Sequence, residues 1–304
     1  MIKTQLNAVV TQRIEVASGL AMFRISPDGW TLPRFTAGQF AVIGLPASAA
    51  RIALSDPEEP AGDSGRLIRR AYSIASSPLA RDHIEIFVNI VRSGELTPRL
   101  FALRPGDRIW LGRKFAGMFT LREVPRDRHV AMIATGTGLA PYVSMMRSEL
   151  ECGGPRRFAV LHGARHSWDL GYAAELAAMQ RLCRNFTYVP TVSRPEAELV
   201  PWGGAKGHIQ ALWTGRVLER GGLPSHTEEH ARLPLRQPRD DRGHDRAARG
   251  GGVHGARAAR ARADSRRAVL VRRPSADPPE RYSFITWRAD DGLARSCVPL
   301  DARC

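Results

Sequence analysis

The chain has 304 residues, 43% of them hydrophobic, and 45 Lys+Arg against 30 Asp+Glu give a formal net charge of +15. That composition excludes collagen-like and wholly disordered chains and suits two ordinary domains, each with its own core. The four cysteines, Cys152, Cys183, Cys297 and Cys304, lack CxxC spacing. Neither a disulfide framework nor a metal site is therefore expected, and a reducing compartment is. No run of about 18 apolar residues occurs and the first residues lack an apolar signal region, which points to a cytoplasmic protein off the membrane.

The positive charge raises a nucleic-acid reading, because clustered Arg and Lys displace counterions from a phosphate backbone. Its distribution argues against that. Residues 1–220 hold 28 Lys+Arg against 19 Asp+Glu, while residues 221–304 hold 17 against 11, every one of the 17 an arginine. No aromatic residue lies between Gly221 and Arg281 to stack on bases.

In chain order, Asn7 to about Leu121 reads as short apolar runs, QFAVIGL, HIEIFVNIV and DRIWLG, separated by Gly and Pro turn signals. An antiparallel β-barrel is expected over 1–125, with a surface loop from Pro46 to Gly65. From 126 to 220 the rhythm becomes strand then helix: HVAMIATG before APYVSMMRSELE, RFAVLHGAR before WDLGYAAELAAMQRL, and FTYVPTVSR before HIQALWTGRVLE. Alternating β and α predict a parallel sheet covered by helices, with Val130–Ala134 buried on both faces. Residues 221–304 have few large apolar side chains over most of their length and read as a disordered Arg-rich tail.

Several short motifs place chemistry on this frame. Arg70-Ala71-Tyr72-Ser73 offers an anion partner, an aromatic face and a hydroxyl in one strand. Gly94-Glu95-Leu96-Thr97-Pro98 reads as a turn into a helix capped by Thr97. Thr135-Gly136-Thr137-Gly138-Leu139-Ala140-Pro141 joins the all-apolar strand to a helix, where glycines let the backbone approach a pyrophosphate. Arg165 ends the second parallel strand and Ser193-Arg194 ends the third. Two arginines and a hydroxyl on that edge suit a phosphate monoester, hence the 2′-phosphate of NADP.

The order RxYS, G-x-x-T, GTGLAP, HGAR, VSR resembles the bacterial-type ferredoxin:NADP+ reductases, also called flavodoxin reductases, over about residues 1–220. The resemblance implies an FAD-binding barrel followed by a Rossmann-like NADP-binding domain. It also implies hydride transfer from NADPH to flavin N5 and release of single electrons to an acidic ferredoxin or flavodoxin, by a monomer. On this resemblance Arg70 binds the FAD phosphates, Tyr72 packs on the flavin and Ser73 hydrogen-bonds near N5, so Tyr72 and Ser73 are the catalytic candidates. Ala71, Val88, Glu95, Leu96, Thr97 and Thr137 complete the FAD contacts. Thr135, Gly136 and Gly138 join Arg165, Ser193 and Arg194 in holding NADP. One departure is His208, where an arginine often follows the glycine at Gly207.

The resemblance also implies a fourth parallel strand ending in Cys-Gly-Asn-Pro, a helix, and a last strand with a terminal aromatic. None follows Arg220 in this frame. Read one nucleotide forward, codons for Ala231 to Asp241 can encode His-Val-Phe-Leu-Cys-Gly-Asn-Pro-Ala-Met-Ile. Those for Ala263 to Leu270 can encode Gln-Ile-His-Val-Glu-Arg-Tyr-Trp, with a stop available at Val271-Arg272. The frame is therefore expected to slip near Gly221, leaving 221–271 out of frame and 272–304 as read-through. Two consequences are expected: an open edge on the first parallel strand, and a catalytically defective FAD-binding fragment as the alternative to a working reductase.

Overall fold

The structure, a computed structural model, describes residues 6–58 and 65–209 and the backbone of three short strands further on. Strands β1 (Ala8–Ala17) and β2 (Leu20–Pro27) form a hairpin, followed by β3 (Phe40–Pro46), β4 (Leu67–Ser73), β5 (Ile84–Asn89) and, after a single helical turn α1 (Thr97–Leu100), β6 (Arg108–Leu111). These six make an antiparallel sheet in the order β4-β3-β6-β1-β2-β5. An isolated bridge between Ile74 and Ile86 joins the two end strands, so the sheet closes as the expected barrel. Its interior is filled by Val10, Phe23, Ile25, Ile43, Ile68 and Ile84, all essentially inaccessible.

The parallel sheet follows, with β7 (His129–Thr135), α2 (Ala140–Glu149), β8 (Phe158–Ala164), α3 (Ala173–Leu182), β9 (Phe186–Val192) and the short β10 (Ala205–Lys206). Strands β10, β9, β8 and β7 lie side by side, all parallel. The strand and helix starts read from the sequence hold here to within a few residues. The third helix expected after β9 and most of the Arg-rich tail lie outside the described residues.

Two expectations are corrected. The outer edge of β7 is not open: of the three remaining strands, β11 (Ala268–Val269), β12 (Tyr282–Thr286) and β13 (Cys297–Val298), β12 pairs parallel with His129–Ile133. An exposed row of strand N–H and C=O groups is a template for any β-prone segment, and Tyr-Ser-Phe-Ile-Thr is rich in β-formers. Cys152 and Cys183 are joined as a disulfide with Cα atoms 4.5 Å apart, although their spacing gave no sign of pairing. They meet because the loop entering β8 and the end of α3 reach the same end of the sheet, a placement that the helices impose over 31 residues of sequence.

Barrel and parallel sheet share one continuous apolar core: Ala37, Ala75, Phe87, Phe119 and Leu121 pack with Leu139, Tyr142, Met145, Met146 and Tyr172. Two glycines permit the contact. A Cβ on Gly38 (φ +95°) would lie 1.9 Å from the Phe119 carbonyl oxygen and 2.6 Å from Met145, and one on Gly171 would lie 2.3 Å from the Phe87 ring.

Inside this junction sits Glu85, 2% exposed. It accepts hydrogen bonds from Arg24 Nε (2.9 Å), Arg147 Nη1 (2.8 Å) and the Tyr172 hydroxyl (3.0 Å). Burial works to raise its pKa, but the Arg147 charge and these three donors outweigh it, leaving the carboxyl below its ordinary 4.5. Because the folded value is depressed, the stability Glu85 contributes is complete above the ordinary carboxylate pKa and is lost as pH falls through the folded value. Glu85→Ala is expected to cost about 1–3 kcal/mol by leaving the buried Tyr172 hydroxyl and one Arg147 donor without their acceptor, while Glu175 still pairs the guanidinium, read as a lower urea midpoint at neutral pH. An unchanged midpoint would refute that role.

Candidate functional site

The RxYS segment is the end of β4, paired antiparallel with β3 so that Arg70 faces Ile43 and Tyr72 faces Ala41 across the ladder. Arg70 is exposed, while Ala71, Tyr72 and Ser73 are half-buried. The Tyr72 ring packs on the barrel core, and burial, opposed by the Arg70 charge, pushes its phenol well above the ordinary value of 10.0. Tyr72 is thus neutral at any working pH, a flat aromatic face rather than an acid.

Glu95 joins this group from the α1 approach. Arg66 Nη2 donates to its Oε1 and Arg70 Nη2 to its Oε2, the latter at 2.8 Å. The Arg66 hydrogen bond, working against burial, and the Arg70 contact hold its carboxyl below the usual range. Two arginines converge on one carboxylate here, a set of donors of the kind that suits a phosphate. Leu96 and Val88 are buried in the barrel core. Thr97 does not cap the helix as the sequence suggested: Leu96 is the N-cap, without a side-chain cap bond. The Thr97 hydroxyl instead accepts the Val91 N–H at 2.9 Å and donates to the Val91 carbonyl at 3.0 Å, closing the Val91–Gly94 turn.

On the other sheet, Thr135 is exposed at the end of β7, and Gly136–Leu139 forms a single tight turn running into α2 at Ala140. Gly136 has φ +51° with open space where a Cβ would stand, so the turn needs glycine for its backbone and leaves room for a ligand. Thr137 is half-buried and Gly138 buried. Beneath the turn, His162 on β8 is fully buried, with Nδ1 3.1 Å from the Tyr188 hydroxyl and Nε2 without a hydrogen-bond partner among the described residues. Burial drives its pKa down to about 4 against the opposing influence of the Gly136 backbone, so the ring is neutral.

The two strand-end motifs come together. Ser193 N–H donates to the Ala164 carbonyl and Arg194 N–H to the Arg165 carbonyl, each at 3.0 Å, so both arginines share the carboxyl edge of the sheet. Neither guanidinium makes an ion pair or hydrogen bond among the described residues. Sequence reading missed Lys206: β10 lays it beside Val192, next to Ser193, through a two-residue pairing too short to show as periodicity. The structure thus gathers Arg70, Tyr72, Ser73 and Glu95 at one anion-accepting corner, and Arg165, Ser193 and Arg194 at a second, with the Gly136 turn at the end of β7.

An antiparallel barrel packed on a parallel sheet with a glycine turn and a basic strand edge defines a two-lobed nucleotide-dependent oxidoreductase, and comparison with known proteins agrees. Residues 132–229 match the oxidoreductase NAD-binding domain. The flavodoxin/ferredoxin–NADP reductase of Escherichia coli K12 is 32% identical over 209 residues, covering 68% of this chain and 76% of the relative. The ferredoxin–NADP reductase of Azotobacter vinelandii is 30% identical over 218 residues, 69% and 72% of the two chains. A ferredoxin NADP+ reductase from Neisseria gonorrhoeae, solved with bound FAD and NADP, shares the fold at a TM-score of 0.56 and 24% identity, over 72% of this chain and 80% of that one. The chain belongs to the flavodoxin/ferredoxin–NADP reductase family.

Glu95 supplies a prediction particular to this chain. Its charge occupies the two arginines that an incoming phosphate group would have to engage at this corner. Glu95→Gln is expected to tighten binding of inorganic pyrophosphate several-fold in calorimetric titration, whereas weaker binding would show that Glu95 assists the anion.

Proposed function

We propose that this chain binds FAD along β4 and the α1 approach and NADPH along the β7–α2 turn and the β8–β9 edge, and that it passes electrons between NADPH and an acidic ferredoxin or flavodoxin. The observation that carries the reading is the pairing of two anion corners with a neutral, packed Tyr72 face beside one of them. Arg70 would hold the FAD phosphates and Tyr72 would stack on its ring. Ala71, Val88, Glu95, Leu96, Thr97 and Thr137 would line the remainder. When bound, FAD supplies a hydride acceptor that divides an electron pair into single transfers. Ser73 would donate a hydrogen bond to the flavin at its reacting nitrogen, and Thr135, Gly136 and Gly138 would hold the nicotinamide nucleotide's pyrophosphate. Arg165, Ser193, Arg194 and the added Lys206 would select the 2′-phosphate. The excess of positive charge in residues 1–220 would steer an acidic carrier at low salt. Among the described residues no helix is long and apolar enough to cross a membrane; a cytoplasmic monomer without nucleic acid is part of the same proposal.

An absorption scan of the purified chain tests the cofactor directly: a flavin spectrum is expected, and its absence after incubation with FAD would overturn the reading. Arg70→Ala should weaken FAD retention about 10- to 150-fold, the worth of one charge-assisted contact of about 1.5–3 kcal/mol. Unaltered retention would remove Arg70 from the site. Replacing Arg165 and Arg194 together by Ala should erase the preference for NADP over NAD, measured as the ratio of their dissociation constants.

A second reading, favoured by the tail, is that the 304-residue chain is a weak reductase because its C-terminal chemistry lies out of frame from near Gly221. Dye reduction by NADPH should rise when residues 221–304 are replaced by the shifted ending. Equal turnover, or a gene read without a missing or extra base across the codons for Arg220 to Leu223, would overturn it.

A further inference from the structure

Helix α2 touches both halves of the site. Its first residue, Ala140, continues directly from the Gly136–Leu139 turn. Ser144 and Arg147, four and seven residues on, lie on the same helix face as Ala140, and that face meets the barrel. The Ser144 hydroxyl, fully buried, donates to the Ser76 carbonyl at 2.7 Å. Arg147 Nη1 donates to the Ala75 carbonyl at 3.0 Å and to Glu85 Oε1 at 2.8 Å. These two carbonyls come two and three residues after Ser73. The segment that carries Tyr72 and Ser73 is therefore pinned, through the Ala75 and Ser76 carbonyls just beyond it, to the helix that carries the nucleotide turn.

The pin is stiff. The remaining Arg147 donors fork onto Glu175 of α3, Nε to Oε1 at 2.7 Å and Nη2 to Oε2 at 2.8 Å, so one planar guanidinium is fixed by three elements at once. Glu85 is itself held by Arg24 and Tyr172. On the barrel side the Ala75 N–H donates to the Glu85 carbonyl at 2.7 Å and the Ser76 hydroxyl accepts the Glu85 N–H at 3.1 Å. Neither anchored residue can shift without breaking several buried hydrogen bonds. The helix between turn and anchors spans about two turns, roughly 10 Å of rigid backbone.

We propose that Ser144 and Arg147 are positioning residues that set the separation of the Thr135–Pro141 turn from Tyr72–Ser73, and with it the register of nicotinamide on flavin. This rests on the functional reading above. A misplacement of about 1 Å is enough to cost roughly a hundredfold in rate. Arginine is required at 147 because lysine keeps the charge but cannot reach Ala75, Glu85 and Glu175 together.

The test uses the full chain loaded with FAD, comparing Ser144→Ala and Arg147→Lys with the unmutated chain. Four quantities are read: the FAD dissociation constant, the NADP+ dissociation constant, the long-wavelength charge-transfer absorbance of the flavin–nicotinamide complex at saturation, and the single-turnover rate of flavin reduction. Both dissociation constants are expected within about twofold of the parent. The charge-transfer band should weaken and the reduction rate should fall on the order of 10- to 100-fold. A merely structural role would loosen both ligands and leave the band of the saturated complex unchanged, and that result overturns the proposal, as does a parental band with a parental rate. Ser144→Ala removes a single oxygen and carries the test if Arg147→Lys fails to fold. A parent chain that holds no flavin overturns the functional reading and this proposal together. A parent with a normal band that both variants share overturns this proposal alone.

Discussion

The buried carboxylate of Glu85 constrains everything around it. An ionised carboxylate removed from water is expensive, on the order of several kcal/mol even after relaxation, unless charge and hydrogen bonds surround it. Glu85 lies on β5 of the barrel, and its partners come from β2, α2 and the entry to α3. A barrel folded alone would leave that carboxylate with Arg24 only, and a parallel sheet folded alone would leave Arg147 with Glu175 only. The network is satisfied in one relative placement of the two halves. Apolar residues in the same space could match its stability, but apolar contacts slide, whereas a forked guanidinium on two carboxylates and a carbonyl does not.

Local irregularities follow from that placement. Tyr172 has φ 62°, a left-handed backbone uncommon outside glycine. Its ring packs edge-on against Phe87 at 5.3 Å and under Arg147 at 5.3 Å, while its hydroxyl reaches Glu85. The preceding Gly171 removes the side chain that would strike Phe87. The cost of the backbone is offset by these three contacts to Phe87, Arg147 and Glu85, so the strain marks the junction rather than the nucleotide site.

This explains what the sequence disclosed and what it withheld. The unbroken apolar run Val130–Ala134, the glycine turn behind it and the strand-end arginines are local signals, and each maps onto an element within a few residues. The barrel strands show as short apolar runs between Gly and Pro turn signals, although their order in the sheet does not follow from such runs. Glu85, Arg147, Tyr172 and Glu175 were invisible because each alone resembles a solvated polar residue, and only the fold brings partners 28, 62 and 87 residues apart to one point. The Cys152–Cys183 pair escaped for the same reason. Thr97 misled because a Thr-Pro start looks like a cap until the competing Val91 peptide is in place.

The edge of β7 separates completing a fold from completing a site. Its backbone groups ask only for a strand of β-forming residues, and β12 meets that demand from Tyr282 to Thr286. The proposed out-of-frame segment encoded across Ala231–Asp241, with its His-Val-Phe-Leu run, would meet the same demand at the same edge while also delivering Cys-Gly-Asn-Pro next to the nucleotide turn. A ladder of N–H and C=O groups cannot tell the two apart, because side-chain identity barely enters its hydrogen bonds. Sheet order, burial of Val130 and Met132, and the Gly136 turn are therefore compatible with an ending that carries none of the reaction's residues. The chemistry is more demanding than the architecture: it needs particular side chains at the carboxyl ends of the strands, held to within about an ångström, and the clamp at Glu85 and Arg147 supplies that precision only for the residues the chain has brought there.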